Sequence, residues 1–209
     1  HGQKLIKYLN SMSYIEKIFP KVFTWAFDFY ECEPKRVISL DEIKQILFAI
    51  ISKFKTLYAS VYNTIDDSVI TYIQKFENSI NSIGIDKITL ISQHNDFNAH
   101  NIIINCENND FNDFYVLDWE GFKRFELPIF DINHFFFSSG NMLPRKRNID
   151  NFDRYVLNRG PYSELYRRTI KAFERYGYIS YDEFIKLTPI YFINMCIVVA
   201  DDHREEKHT

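Results

Sequence analysis

Three short apolar runs, Ile88-Thr89-Leu90-Ile91, Ile102-Ile103-Ile104 and Tyr115-Val116-Leu117, interrupt a chain that otherwise carries helical apolar stripes. Runs this short and this rich in β-branched residues read as strands rather than helices. The first leads into a polar segment, His94-Asn95-Asp96-Phe97-Asn98-Ala99-His100-Asn101. The other two are joined by the polar loop Glu107 to Asp113. The local fold is thereby constrained to a strand, a polar loop and a β-hairpin with Asn101 at one end and Asp118 at the other, so that both can face a single metal ion.

Around this centre the spacing predicts helices. Leu5, Ile6, Leu9 and Met12 form a short stripe over residues 3–12, and Pro20 is expected to end that region. Phe23, Trp25, Phe27 and Phe29 alternate with smaller or polar residues, which predicts one or two short strands up to Glu31. Ser39 and Glu42 make a capping-box pattern ahead of Ile43, Ile46, Leu47, Ile50, Phe54, Leu57, Tyr58 and Val61. A second helix is expected from about Asp67, with Val69, Tyr72, Ile73, Phe76 and Ile80 inward and Gly84 as its stop. Beyond Pro128 the chain returns to helix: an aromatic stretch from Ile132 to Phe137, then a polar, basic loop from Asn141 to Asn148. A helix follows Pro161, with Leu165, Thr169, Ile170 and Phe173 inward, and a last one covers about Pro189 to Val199. No internal repeat is present.

The 209 residues suffice for one sizeable core, or one core with a small appended lobe. A net charge of −3 gives no reason to expect nucleic-acid binding. No apolar run approaches the ~20 residues of a membrane span, and no signal peptide is apparent, so no membrane association is expected. Cys32, Cys106 and Cys196 are odd in number and far apart, which fits a reducing compartment. The expectation is a cytoplasmic protein.

The polar segment has the form H-x-D-x-x-x-x-N. Phosphoryl transfer from ATP needs a carboxylate beside the acceptor hydroxyl and oxygen ligands for magnesium. Asp96 is the candidate base. Asn101 would bind magnesium through its amide oxygen, and Asp118 would bridge it to the nucleotide phosphates. Glu120 can reach the same ion or a second one, or be an ordinary surface residue. His94 is expected to brace the loop by hydrogen bonds. Asp, Asn and His also populate ordinary turns. The flanking strands and the following Asp118 are what favour chemistry.

The segment from His94 to Phe137 resembles the catalytic region of the aminoglycoside phosphotransferase and choline kinase superfamily. His94-Asn95-Asp96 is similar to its H-N-D or H-G-D, and Asn101-Ile102-Ile103 to the N-I-L that follows. Leu117-Asp118-Trp119-Glu120 is similar to the I-D-[FW]-E of choline kinases. Phe130-Asp131-Ile132-Asn133-His134-Phe135 is similar to their F-D-I-x-N-H-F, one residue shorter. The resemblance implies a structural role for Asp131, tying the active-site loops to a helix. It implies an α+β, protein kinase-like fold: a mostly helical C-terminal lobe with a catalytic β-hairpin over 39–209, and a remnant of the N-terminal β-lobe over 1–38. The implied activity is that of a small-molecule kinase, with ATP and Mg as cofactors and a hydroxyl of an amino alcohol, sugar or aminoglycoside as acceptor. Gly2 is the only glycine before Gly84, so no glycine-rich loop and no phosphate-binding strand lysine can be read. The rest of the β-lobe is expected in an upstream part of a larger polypeptide, or to have been trimmed. The alternative is a catalytically incomplete kinase-like domain acting as a binding or regulatory module.

Tyr155, Tyr162, Tyr166 and Trp119 offer a cage for a quaternary ammonium, although aromatics at helical spacing are first read as core. Arg145-Lys146-Arg147, Arg154 and Arg159 offer an anion site or a solvated loop. His134, among phenylalanines, reads as a satisfied core histidine. The charged stretch Asp201 to Glu206 reads as a solvated terminus.

Overall fold

The computed structural model describes residues 2–4, 12–62, 66–105, 113–139 and 161–206. Their order is β1 (Gly2–Lys4), α1 (Met12–Cys32), β2 (Arg36–Ser39), α2 (Leu40–Tyr62), α3 (Asp67–Asn81) and β3 (Lys87–Gln93). A 3-10 turn (Ala99–Asn101), β4 (Ile102–Asn105), β5 (Asp113–Val116), β6 (Lys123–Glu126), α4 (Phe130–Ser139), α5 (Pro161–Glu174) and α6 (Tyr181–Glu206) follow. The chain is α+β, predominantly helical, with two small antiparallel sheets. It divides into a unit of residues 1–36 with 89–181 and a unit of residues 37–88 with 182–209. Both units are discontinuous in sequence.

In the first unit the expected hairpin forms. Ile102 lies opposite Val116 and Asn105 opposite Asp113, so Asn101 and Asp118 come to the same open end. Gly2 to Lys4 add a third strand against Asn105 to Ile103; this part of the expected N-terminal helical stripe is extended, and residues 5–11 lie outside the described residues. Ile91 and Gln93 of β3 pair with Glu126 and Lys123 of β6, a strand the sequence pattern did not reveal.

The largest departure from the sequence pattern is α1. Residues 23–29 are not strands but the second half of a helix that runs through Pro20. Its buried set is Ile18, Phe19, Val22, Phe23, Ala26, Phe27 and Tyr30, a helical stripe. The odd-numbered aromatics alternate by coincidence, because they belong to two stripes of one helix. Phe23 and Phe27 face inward, where Phe23 meets Phe135 and Phe136 of α4 with ring centroids 5.1 and 5.5 Å apart and Phe27 stacks on Phe173 of α5 at 5.3 Å. Trp25 and Phe29 are half-buried and meet Phe97 and Trp119 at 6.3 and 5.2 Å. Proline costs an interior helix one hydrogen bond and about 3 kcal/mol; apolar burial on both sides of Pro20 outweighs that here. In α4, residues 130–137 are all buried. In α5, Tyr166, Ile170 and Phe173 are fully buried, while Leu165 is only half-buried. Gly177, at φ +75°, turns the chain after α5.

In the second unit the capping box of α2 is reciprocal: the Ser39 N–H donates to Glu42 Oε2 at 3.0 Å, and the Glu42 N–H to Ser39 Oγ at 3.4 Å. Helix α3 starts at Asp67, with Asp66 as its cap, and buries Ile73, Phe76 and Ile80. Tyr72, expected inward, is 51% exposed. Gly84, at φ +64°, follows the end of α3. Leu40 N–H donates to the Asp86 carbonyl at 2.9 Å, fixing β2 beside the start of β3. Helix α6 is longer than expected and passes through Pro189, with Leu187 and Ile190 buried beside it. Cys32 and Cys196 are free thiols, and Cys106 lies outside the described residues. No described helix is long and apolar enough to cross a membrane.

A helical α1 makes unequal demands on its aromatics. Phe23→Ala is expected to cost about 3–5 kcal/mol of unfolding free energy, and Phe29→Ala well under half as much. Equal losses in urea titrations would instead fit an alternating strand.

Candidate functional site

All the candidate site residues belong to the first unit. Their organising group is Asp131, at the start of α4 and 1% exposed. Its Oδ2 accepts the backbone N–H of His94 at 2.7 Å, and its Oδ1 that of Asn95, also at 2.7 Å. The Tyr30 hydroxyl of α1 donates to Oδ2 at 2.8 Å, and the Asp131 N–H donates back to Gln93 Oε1 at 2.8 Å. The tie that the family resemblance implied for Asp131 is thus present as a set of accepted hydrogen bonds. Burial pushes the Asp131 carboxyl above its ordinary range, with the donations from His94, Asn95 and Tyr30 opposing that rise. Burial first, and the neighbouring carboxylate second, push the Tyr30 hydroxyl well above its usual value.

His94 is 2% exposed, and both its ring nitrogens meet backbone groups. Nε2 lies 2.8 Å from the Leu117 carbonyl, which can only accept, so Nε2 carries the hydrogen. Nδ1 then accepts the Asp96 N–H at 3.3 Å. Trp119 covers the ring at 4.6 Å. The arrangement joins the polar loop to the exit of the hairpin. Asn95, at φ +64°, donates from Nδ2 to the Gly121 carbonyl at 3.1 Å. A Cβ at Gly121 would lie 3.0 Å from the His94 carbonyl oxygen, so glycine permits the close approach of the two loops.

Asp96 and Asn101 meet directly. Asn101 Nδ2 donates to Asp96 Oδ2 at 2.6 Å and to the Asp96 carbonyl at 3.0 Å. Asn98 Nδ2 donates to Asp96 Oδ1 at 2.7 Å, while Asn98 Oδ1 caps the 3-10 turn by accepting the His100 N–H at 2.8 Å. His134 Nε2 lies 3.0 Å from Asp96 Oδ1. Partial burial acts to raise the Asp96 carboxyl, but hydrogen bonds from His134, Asn101 and Asn98, with the charge of His134, outweigh it and hold the group below its ordinary value. The Asp96 side chain is still 43% exposed.

Asp118 and Glu120 are exposed. Leu117 N–H donates to the Asn101 carbonyl at 2.8 Å, so the chain enters Asp118 directly beside Asn101. Asp118, at φ +60°, then turns in the left-handed region, a conformation that Asp and Asn tolerate best among non-glycine residues. Because Asn101 Nδ2 is committed to Asp96, its Oδ1 is the atom suited to a cation. An amide oxygen and carboxylates are the oxygen donors magnesium takes, and the chain carries them at the same hairpin end in Asn101, Asp118 and Glu120. Among the described residues no cluster of three or more His, Cys, Asp or Glu forms a metal cage.

Tyr166 cannot line a cage, since it is fully buried and its hydroxyl donates to Asn133 Oδ1 at 2.6 Å. Tyr155, the Tyr162 side chain, Arg145, Lys146, Arg147, Arg154 and Arg159 lie outside the described residues, as do the side chains of residues 201–206. Sequence reading assigned no role in the site to Tyr30, Gln93, Asn98, Gly121 or His134. His134 is buried, as a core histidine would be, but its partner is the candidate base. The spacing Asp131 to His134, one helical turn on the face that also holds the loop amides, was the available signal. No family model, no curated protein and no solved structure matches this chain.

Removing the Asp131 acceptor strands buried donors, so Asp131→Asn is expected to cost about 2–4 kcal/mol. Faster hydrogen exchange at the His94 and Asn95 amides should accompany the loss in urea titrations. Asp96, depressed in the folded state, contributes stability that is present above the ordinary carboxylate range and lost as pH falls through its lowered value. The stability difference between wild type and Asp96→Asn should therefore narrow on acidification; a difference constant with pH would contradict the assignment.

Proposed function

We propose that this chain is the catalytic part of an ATP- and magnesium-dependent phosphotransferase with a protein kinase-like fold, acting on a hydroxyl of a small molecule. The observation that carries the reading is the direct pairing of Asp96 with Asn101, at the hairpin end from which Asp118 emerges. The depressed, solvent-open carboxylate of Asp96 orients the acceptor hydroxyl and takes its proton as the new O–P bond forms and the bond to the ADP leaving group breaks. Asn101 Oδ1 and Asp118 would hold magnesium, with Glu120 as a further candidate ligand. When bound, the ion neutralises charge developing on the transferred phosphoryl group. His94 and Asp131 keep the loop in register. Acceptors of the amino alcohol, sugar and aminoglycoside classes are the ones to screen.

The sequence holds no glycine-rich loop, and that favours a second reading, a catalytically incomplete kinase-like domain that acts as a binding or regulatory module of a larger protein. Calorimetry of ATP with magnesium, beside an acceptor screen read by ATP consumption, separates the two: binding without consumption supports the module. For the enzyme, Asp96→Ala and Asp118→Ala are each expected to lower turnover at least about a hundredfold in a folded chain. Full activity in either variant removes the assignment.

A further inference from the structure

Asp96 bears on its two oxygens more donors than a loop carboxylate needs to hold its own turn. Asn98 and Asn101 come from the loop itself, but His134 comes from α4 and is 8% exposed. A carboxylate offers about four lone-pair positions. His134 Nε2 and Asn98 Nδ2, at 3.0 and 2.7 Å, occupy those of Oδ1. Asn101 Nδ2, at 2.6 Å, occupies one on Oδ2. The position left for a substrate hydroxyl is the second one on Oδ2, the oxygen that also faces the Asn101 amide.

We infer that His134 is a positioning residue for the proposed reaction: donating its Nε2–H to Oδ1, it fixes the rotation of the Asp96 carboxylate and selects Oδ2 as the oxygen that receives the acceptor proton. The inference rests on the phosphotransferase reading. The hydrogen bond has the direction required, because a carboxylate can only accept. The same helix that presents His134 presents Asp131, which holds the His94 and Asn95 amides. Helix α4 therefore sets both the path of the loop and the orientation of its carboxylate. Without the bond from His134, only the amides of Asn98 and Asn101 steady the carboxylate, so it turns more readily about its Cβ–Cγ bond and its proton-accepting oxygen is less well defined.

Water serves as acceptor in the test, so no substrate need be known. Magnesium-dependent ATP hydrolysis is measured for the full chain, for His134→Leu and for His134→Gln, whose amide N–H has similar reach. The kcat of His134→Leu is expected to fall about tenfold or more with KM for ATP changed less than about twofold. His134→Gln should recover most of the loss. A merely structural role predicts no recovery; equal rates in the two variants, or an unchanged rate in His134→Leu, overturn the inference. Nitrogen-15 spectra of the histidine rings supply a readout independent of turnover. A protonated His134 Nε2 whose resonance moves in Asp96→Asn supports the pairing even where wild type hydrolyses no ATP, an outcome that counts against the phosphotransferase reading alone. A His134 ring carrying its hydrogen on Nδ1 only, or one indifferent to Asp96→Asn, overturns it.

Discussion

A single buried carboxylate holds the candidate site in place. Asp131 receives two consecutive loop amides and a tyrosine hydroxyl, and its own amide is held by Gln93. Each hydrogen bond to a charged group contributes about 1.5–3 kcal/mol, and the donors would be costly to bury without it. The polar loop cannot drift without breaking this set, so α1, β3 and α4 are committed to one arrangement around it. The raised Asp131 carboxyl records the desolvation that the arrangement requires.

Two layers of aromatic packing support that clamp. The inner stripe of α1, through Phe19, Phe23 and Phe27, packs on α4 and α5. The outer stripe, through Trp25 and Phe29, packs on Phe97 and Trp119, which belong to the loops that carry Asp96 and Asp118. The abundance of phenylalanine thus has a mechanical role: rigid rings link the helix that supplies Tyr30 to both loops. Asp96 stands at the edge of this packing, less buried than Asp131 though it too accepts three hydrogen bonds, and the two carboxyls are displaced in opposite directions from their ordinary values. Such divergence between neighbouring carboxyls is what a division of labour between a structural and a reactive group requires.

Local signals carried much of this in the sequence. The capping box at Ser39 and Glu42, the stripes of α2 and α3, and the short apolar runs of the hairpin each report a structure decided within a few residues. Phe23 to Phe29 misled because four aromatics at every second position fit two helical stripes as well as one strand face, and only the tertiary partners choose between them. Pro20 misled for a related reason, since burial on both sides outweighs its local penalty. The meeting of Asp96 with Asn101, at the hairpin end from which Asp118 emerges, was legible from their order along the chain. The carboxylate of Asp96 meets His134 across 38 residues of sequence, and that contact exists only once α4 has docked. Gly121 was silent because its role is to leave room for the His94 carbonyl, and an absent side chain leaves no pattern to read.

Asn95 and Asp118 both adopt the left-handed backbone conformation, at φ +64° and +60°. Glycine, asparagine and aspartate enter that region at little cost, whereas a β-branched residue is driven out of it. Position 118 is open to solvent and would ordinarily accept almost any polar replacement. Its backbone instead favours glycine, asparagine and aspartate, so other replacements at this exposed place carry a strain of about 1–2 kcal/mol that solvent exposure alone would not foretell.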